Sequence, residues 1–174
     1  MDPKHALTTA ELPGWQLVLG FNNAIRLWGR EHPRLIVRPV QGDYERGAGY
    51  DELATRILMA SRCGASAGWY DDEVLNAAPL GRLQPGLERL LTEGRGRCVP
   101  VVAATTRPIG VNNKLLSEAS HLVIFTLNLP GDRAKLASFA GHELLDPQLL
   151  TERHTFAHYY ADTGQLTVHD PIRL

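Results

Sequence analysis

Two stretches without polar alternation constrain this chain most: CVPVVAATT, Cys98 to Thr106, and HLVIFTLN, His121 to Asn128. A strand with one wet face alternates apolar and polar residues, whereas a continuous apolar run predicts a strand covered on both faces of a parallel sheet. Helical periodicity surrounds both runs, in QPGLERLLTEGRG before the first, NKLLSEA between them and DRAKLASFAG after the second. The alternation predicts an α/β fold with a mostly parallel sheet and helices on both faces. Upstream, WQLVLG and RLIVRPV read as short strands flanking the short helix NNAIRLWGR. GYDELATRILMASRCG reads as a helix capped by Asp51, with Leu53, Ala54, Ile57 and Leu58 on its apolar face. In QPGLERLLTEGRG, Pro85 suits a first helical turn, Leu87, Leu90 and Leu91 form the stripe, and Gly94 ends it. The C-terminal HTFAHYYADTGQLTVHD alternates and turns at Asp162-Thr163-Gly164, predicting an antiparallel hairpin over residues 153–170 at the sheet edge.

A chain of 174 residues suits one domain, 1–174, with a core of its own. With 44% apolar and 21% charged residues, neither disorder nor a coiled coil is favoured. No apolar run approaches the ~20 residues of a membrane span, and MDPKHALTTAELPGW has no apolar signal-peptide core, so the expected location is cytoplasmic. A net charge of -1 argues against a strongly basic surface that binds nucleic acid by charge alone. DNA contact is then expected only through a local patch or an assembled ring. Cys63 and Cys98 fit neither a disulfide framework nor a zinc knuckle and are expected to be reduced and packed.

The segment GWYDDEVLNA, Gly68 to Ala77, places Asp71, Asp72 and Glu73 directly after two aromatic residues. Acidic residues at the end of a buried strand hold a metal ion or activate a water. Acidic runs are equally common as solvated element ends. The sharper reading needs a second strand end nearby, because ligands of open parallel sheets bind at the carboxyl ends of strands. Val99 to Thr106 supplies one, running into Thr105, Thr106 and Arg107 and closed by Pro108. Other signals are weak. His154 and His158 have zinc-type spacing but fall in an expected strand without a third ligand. EGRGR, Glu93 to Arg97, reads as a charged helix-end turn, and no Gly-x-Ser-x-Gly occurs.

GWYDDEV followed by LERLLTEGRGRCVPVVAATTRPIGVNNKLLSEASHLVIFTLNLPGDRAKLASFAG resembles, over roughly residues 65 to 142, the C-terminal half of the HerA/FtsK group of P-loop ATPases. The shared pattern is a strand ending in Asp-Glu, a helix ending in a Gly-Arg-Gly turn, a strand ending in Ala-Thr-x-Arg-Pro, and a later helix opening on Asp-x-Arg. MDPKH resembles the end of that group's second strand. The resemblance implies a RecA-like, three-layer fold. It implies that Asp72 is the Walker B aspartate holding Mg²⁺ through water and Glu73 the base that orients the attacking water. Thr106 occupies the place of a sensor glutamine, Arg107 that of a nucleotide-side arginine before proline, and Arg133 that of an arginine able to reach a neighbouring subunit's nucleotide. A solvated first-turn arginine is the plainer reading of Arg133. Asp71 stands where the group has an apolar residue.

A P-loop needs G-x-x-x-x-G-K-[ST], and the sequence contains no Gly-Lys dipeptide. Its three lysines are Lys4, Lys114 and Lys135. The resemblance therefore implies a RecA-like domain truncated at the N-terminus, lacking the first strand, P-loop and first helix. ATP and Mg²⁺ are the cofactors it implies, with catalysis not expected of this polypeptide alone. The expected partners are other copies in a ring or a complementing chain, with DNA engaged through the assembly. The alternatives are a non-catalytic structural or regulatory subunit of the same descent and, least supported, a Mg²⁺-dependent nuclease using Asp71, Asp72 and Glu73.

Overall fold

The structure is a computed structural model and describes residues 14–28, 34–60 and 67–171. The MDPKH segment with Lys4, and Cys63, lie outside the described residues. The chain divides into two compact units, Met1–Tyr70 with Gln84–Val101, and Asp71–Leu83 with Val102–Leu174.

In the first unit β1 (Gln16–Leu19) leads through α1 (Phe21–Leu27) into β2 (Leu35–Arg38), and the two strands pair in parallel, Gln16 opposite Leu35 and Leu19 opposite Arg38. The turn from β1 into α1 is possible because Gly20 takes φ 77°, a left-handed value that side chains rarely adopt. A short helix α2 (Asp43–Arg46) precedes α3 (Ala48–Ala60), whose buried face carries Tyr50, Leu53, Ala54, Ile57 and Leu58. Pro85 does open α4 (Pro85–Glu93), where its missing N–H costs nothing. Gly86 lets α4 approach α3: a Cβ there would lie 2.7 Å from Asp51 Cα, and its N–H donates to Asp51 Oδ1 at 2.7 Å. The core aromatics Phe21, Tyr50 and Trp69 meet edge to face, with centroids 5.3 Å and 5.0 Å apart.

Gly94 follows α4 as expected but stays right-handed, and the chain continues into a 3₁₀ turn over Arg95–Arg97. The left-handed residue is Cys98, at φ 56°. Cys98 is disulfide-bonded, which corrects the expectation of a reduced, merely packed thiol.

The strands β3 (Trp69–Asp71) and β4 (Val101–Ala103) pair with each other. Their hydrogen bonds advance together along both chains, Trp69 N–H to Pro100 O and then Ala104 N–H to Asp71 O, which is parallel register.

The second unit contains α5 (Asn113–Ser117), β5 (His121–Ile124), α6 (Pro130–Ala140), β6 (Phe156–Tyr160) and β7 (Gln165–His169). Asn112 caps α5 by accepting from the Lys114 N–H at 3.0 Å. β5, β6 and β7 form an antiparallel sheet, with β6 and β7 joined through a turn at Gly164, φ 66°. Ile124, Leu136, Ala137, Ala140, Leu144, Leu150 and Ala157 form this unit's core. Here the sequence expectation differs from the fold. Among the described residues the strands form three small sheets rather than one, and HLVIFTLN supplies a strand with an antiparallel neighbour and an open face, where Val123 is 55% exposed. The run carries no periodicity from which its partner's direction could be read, and the hairpin is what occupies β5's edge. Among the described residues no helix is long and apolar enough to cross a membrane.

Candidate active site

Asp71, Asp72, Glu73, Thr106, Arg107 and Arg133 all lie in the second unit. β3 alternates, with Trp69 and Asp71 buried and Tyr70 60% exposed, so the next residue, Asp72, faces outward. The three consecutive acids therefore do not converge. Asp71 is 7% exposed and points with the core side of the strand, which explains how an acid can stand at an apolar position: it has taken a buried, partnered role. Among the described residues no three His, Cys, Asp or Glu side chains gather around a point that could hold a metal ion, and the nuclease reading loses its three-carboxylate centre.

Glu73 is brought to the end of β4 by backbone bonds that continue the β3–β4 pairing beyond both strands. Ala104 N–H donates to Asp71 O at 2.8 Å, and Val74 N–H donates back to Ala104 O at 3.0 Å. This stitching places the Glu73 carboxylate over Thr105 and Thr106. Thr105 Oγ1 donates to Glu73 Oε1 at 3.0 Å, and Thr106 Oγ1 donates to Oε2 at 3.4 Å. Glu73 is half-buried. Two of the sequence-predicted residues, Glu73 and Thr106, thus touch.

Arg107 joins the site indirectly. Its backbone N–H donates to Thr105 Oγ1 at 3.2 Å, and its Nε lies 3.4 Å from Asp132 Oδ2. Asp132 is 2% exposed and accepts the Ile109 N–H on Oδ1 at 2.8 Å, tying the loop after β4 to the first turn of α6. Beside it, Gly131 packs against the Ile109 side chain, whose Cδ1 would lie 2.8 Å from an added Cβ. Arg133 turns elsewhere: its Nη1 donates to Leu127 O at 2.7 Å, in the segment that leads into its own helix.

Thr105 and Asp132 are the two site residues that sequence reasoning assigned no role. Thr105 is adjacent to a residue that matched a motif, and Asp132 directly precedes Arg133 in the first turn of α6. A test for hydroxyls and acids at both ends of the matched segments finds them.

Asp72 is an exposed hard-oxygen donor at a strand end, the kind of ligand that holds Mg²⁺ singly alongside water and phosphate oxygens. The sequence contains no Gly-Lys dipeptide.

Solved structures share this α/β fold. The genome packaging NTPase B204 from Sulfolobus turreted icosahedral virus 2, in complex with AMPPCP, superposes with a TM-score of 0.73 at 12% identity, covering 91% of this chain and 74% of that one. The same protein in complex with ATP-gammaS gives 0.70 at 14% identity over 82% and 69%. B204, the DNA-packaging ATPase from Sulfolobus turreted icosahedral virus, gives 0.62 at 14% identity over 80% and 68%. Identity this low carries the fold alone. No protein-family model matches the chain, and no curated protein matches it in sequence.

Proposed function

We propose that these residues form the hydrolytic half of a P-loop ATPase of the HerA/FtsK type, the half that polarises water and holds the metal. The observation that carries the proposal is the Glu73 carboxylate held at the end of a parallel strand pair by Thr105 and Thr106. Its support is the fold shared with a packaging NTPase and the order of the motifs. In this reading Glu73 accepts the proton of the attacking water. Hydroxyl donors fix the carboxylate's direction without bringing a cation to it. Asp72 would hold Mg²⁺ through water, and the ion when bound would neutralise phosphate charge. Arg107, 54% exposed and 3.4 Å from Asp132, would be the arginine that meets the nucleotide. Arg133 acting on a neighbouring subunit's nucleotide would first have to release Leu127 O. A ring of copies, or a complementing chain, would bring DNA to the assembly.

Nucleotide binding requires a G-x-x-x-x-G-K-[ST] loop joined to these residues or supplied by another chain, because backbone N–H groups and the lysine of that loop cradle the phosphates. The absence of Gly-Lys favours one second reading, a non-catalytic subunit contributing an interface. The two are separated by measuring Mg²⁺-dependent ATP hydrolysis by this chain joined in cis, or assembled in trans, with a segment bearing such a loop. Hydrolysis above that of the loop segment alone supports the ATPase. An assembly that binds ATP yet turns over no faster supports the structural subunit.

A further inference from the structure

The outward face of the β5–β6–β7 sheet carries chemistry that the proposed ATPase site does not use. The register sets His121 opposite Tyr160, Val123 opposite His158 and Phe156 opposite His169, so these six side chains share one face while Ile124 and Ala157 point into the core. His121 and His158 are diagonal neighbours on adjacent strands. His121 Nδ1 and His158 Nε2 lie 3.0 Å apart, with the rings 16° from parallel. His121 is exposed, His158 is half-buried, and Tyr160 stacks on the His121 ring at 4.7 Å between centroids. The sequence-adjacent candidate, His154, lies ahead of β6 at φ 68°, so the H-x-x-x-H spacing is not the pairing the fold makes.

We propose that His121 Nδ1 and His158 Nε2 form a two-histidine clamp for a divalent transition-metal ion of tetragonal preference, Cu²⁺ or Ni²⁺. Imidazole nitrogens suit both ions. With metal–nitrogen bonds of about 2.0–2.1 Å, two nitrogens 3.0 Å apart subtend roughly a right angle at the metal. That is the angle between neighbouring positions of a square-planar or octahedral ion; a tetrahedral ion would want them about 0.3 Å farther apart. The strand pairing sets the spacing of the two backbones before any metal arrives. In the free chain the two nitrogens share one hydrogen, which belongs to whichever ring donates. Binding turns both lone pairs toward the ion and moves that hydrogen through solvent to the donor ring's other nitrogen, so both imidazoles stay neutral and no net proton is lost. Water completes the coordination, since no third ligating side chain joins the pair among the described residues. The His169 ring lies 6.2 Å from that of His158 and is tilted 49° to it, with its Nε2 engaged by Thr167 Oγ1 at 2.9 Å.

The test is titration of the intact chain with Cu²⁺ alone, followed by electron paramagnetic resonance and calorimetry. One high-affinity Cu²⁺ with nitrogen couplings from two imidazoles is expected. Even outer-shell changes cost metal sites roughly 10–100-fold in affinity, so His121→Gln and His158→Gln should each weaken binding at least about tenfold, with unchanged circular dichroism. His154→Gln and His169→Gln should bind as the parent does. Couplings from a single imidazole or none, no binding by the parent chain, or parent-like affinity in either His121→Gln or His158→Gln overturns the proposal. The nitrogen count needs no variant and so decides the matter even if a substitution disturbs the hairpin.

Discussion

Asp43 in the first unit and Glu73 in the second are both carboxylates placed beside a strand end, and they are held in opposite ways. Asp43 is 8% exposed; its Oδ2 accepts the Val40 N–H at 3.0 Å and the Phe21 N–H at 3.3 Å, and Arg46 pairs with Oδ1 at 2.8 Å. Burial pushes its pKa up, but the Val40 N–H, the Arg46 guanidinium and the Phe21 N–H outweigh it and hold the carboxyl below its ordinary value. Glu73 is half-buried and meets two hydroxyls, each able to turn to water if the carboxylate leaves. Fixed backbone donors make an acid part of the fold, whereas rotatable donors leave it available for chemistry. Asp132 stands between the two, with one backbone N–H and one arginine at 3.4 Å.

That ordering predicts a graded series in urea unfolding. Asp43→Ala strands two backbone donors and should cost the most, about 2–6 kcal/mol, at 1–3 kcal/mol per unsatisfied group. A loss below about 1 kcal/mol would mean that water reaches those N–H groups and the contrast fails. Asp132→Ala strands one donor, and about 1–3 kcal/mol is expected by the same rule. Glu73→Ala strands none, and its cost should stay within about 0.5 kcal/mol, the range of ordinary surface changes. A Glu73→Ala cost equal to that of Asp132→Ala would make Glu73 a structural acid.

The smallest expected effect comes from pH. Because the folded-state pKa of Asp43 is lowered, its contribution is fully present above the unfolded-state value and is lost as pH falls through the folded one. Stability measured from pH 6 downward should decline below about pH 4, the ordinary carboxylate range. The Asp43→Asn chain should show a shallower decline, and parallel curves for the two chains would remove Asp43 from the acid response.

The parts legible in the sequence are those set by local rules. Pro85 at a first turn, the Leu53–Leu58 face of α3 and the turn before Gln165 follow from propensity and spacing, and each stands where those rules put it. The Glu73–Thr106 contact was within reach because both residues end apolar runs, and paired strand ends lie side by side. What was not legible depends on long-range partners. The antiparallel neighbour of β5 lies 33 or more residues downstream of it, at Ala157 to Tyr160. The bond from Ile109 N–H to Asp132 spans 23 residues and needs the α6 first turn already docked. The pairing of His121 with His158, 37 residues apart, rests on the sheet register, whereas spacing alone pointed to His154. Cys98 takes a left-handed backbone where a glycine was expected to end the helix, and propensity gives no warning of that.

In the proposed function Glu73 acts on water and not on the fold. This is tested most directly by comparing ATP binding and single-turnover hydrolysis of the loop-completed assembly carrying Glu73 or Glu73→Gln. Loss of a positioned general base costs about 10²–10⁴ in rate, so the account predicts unchanged ATP affinity with hydrolysis slowed at least about a hundredfold. Hydrolysis by Glu73→Gln within a few-fold of the parent would contradict it.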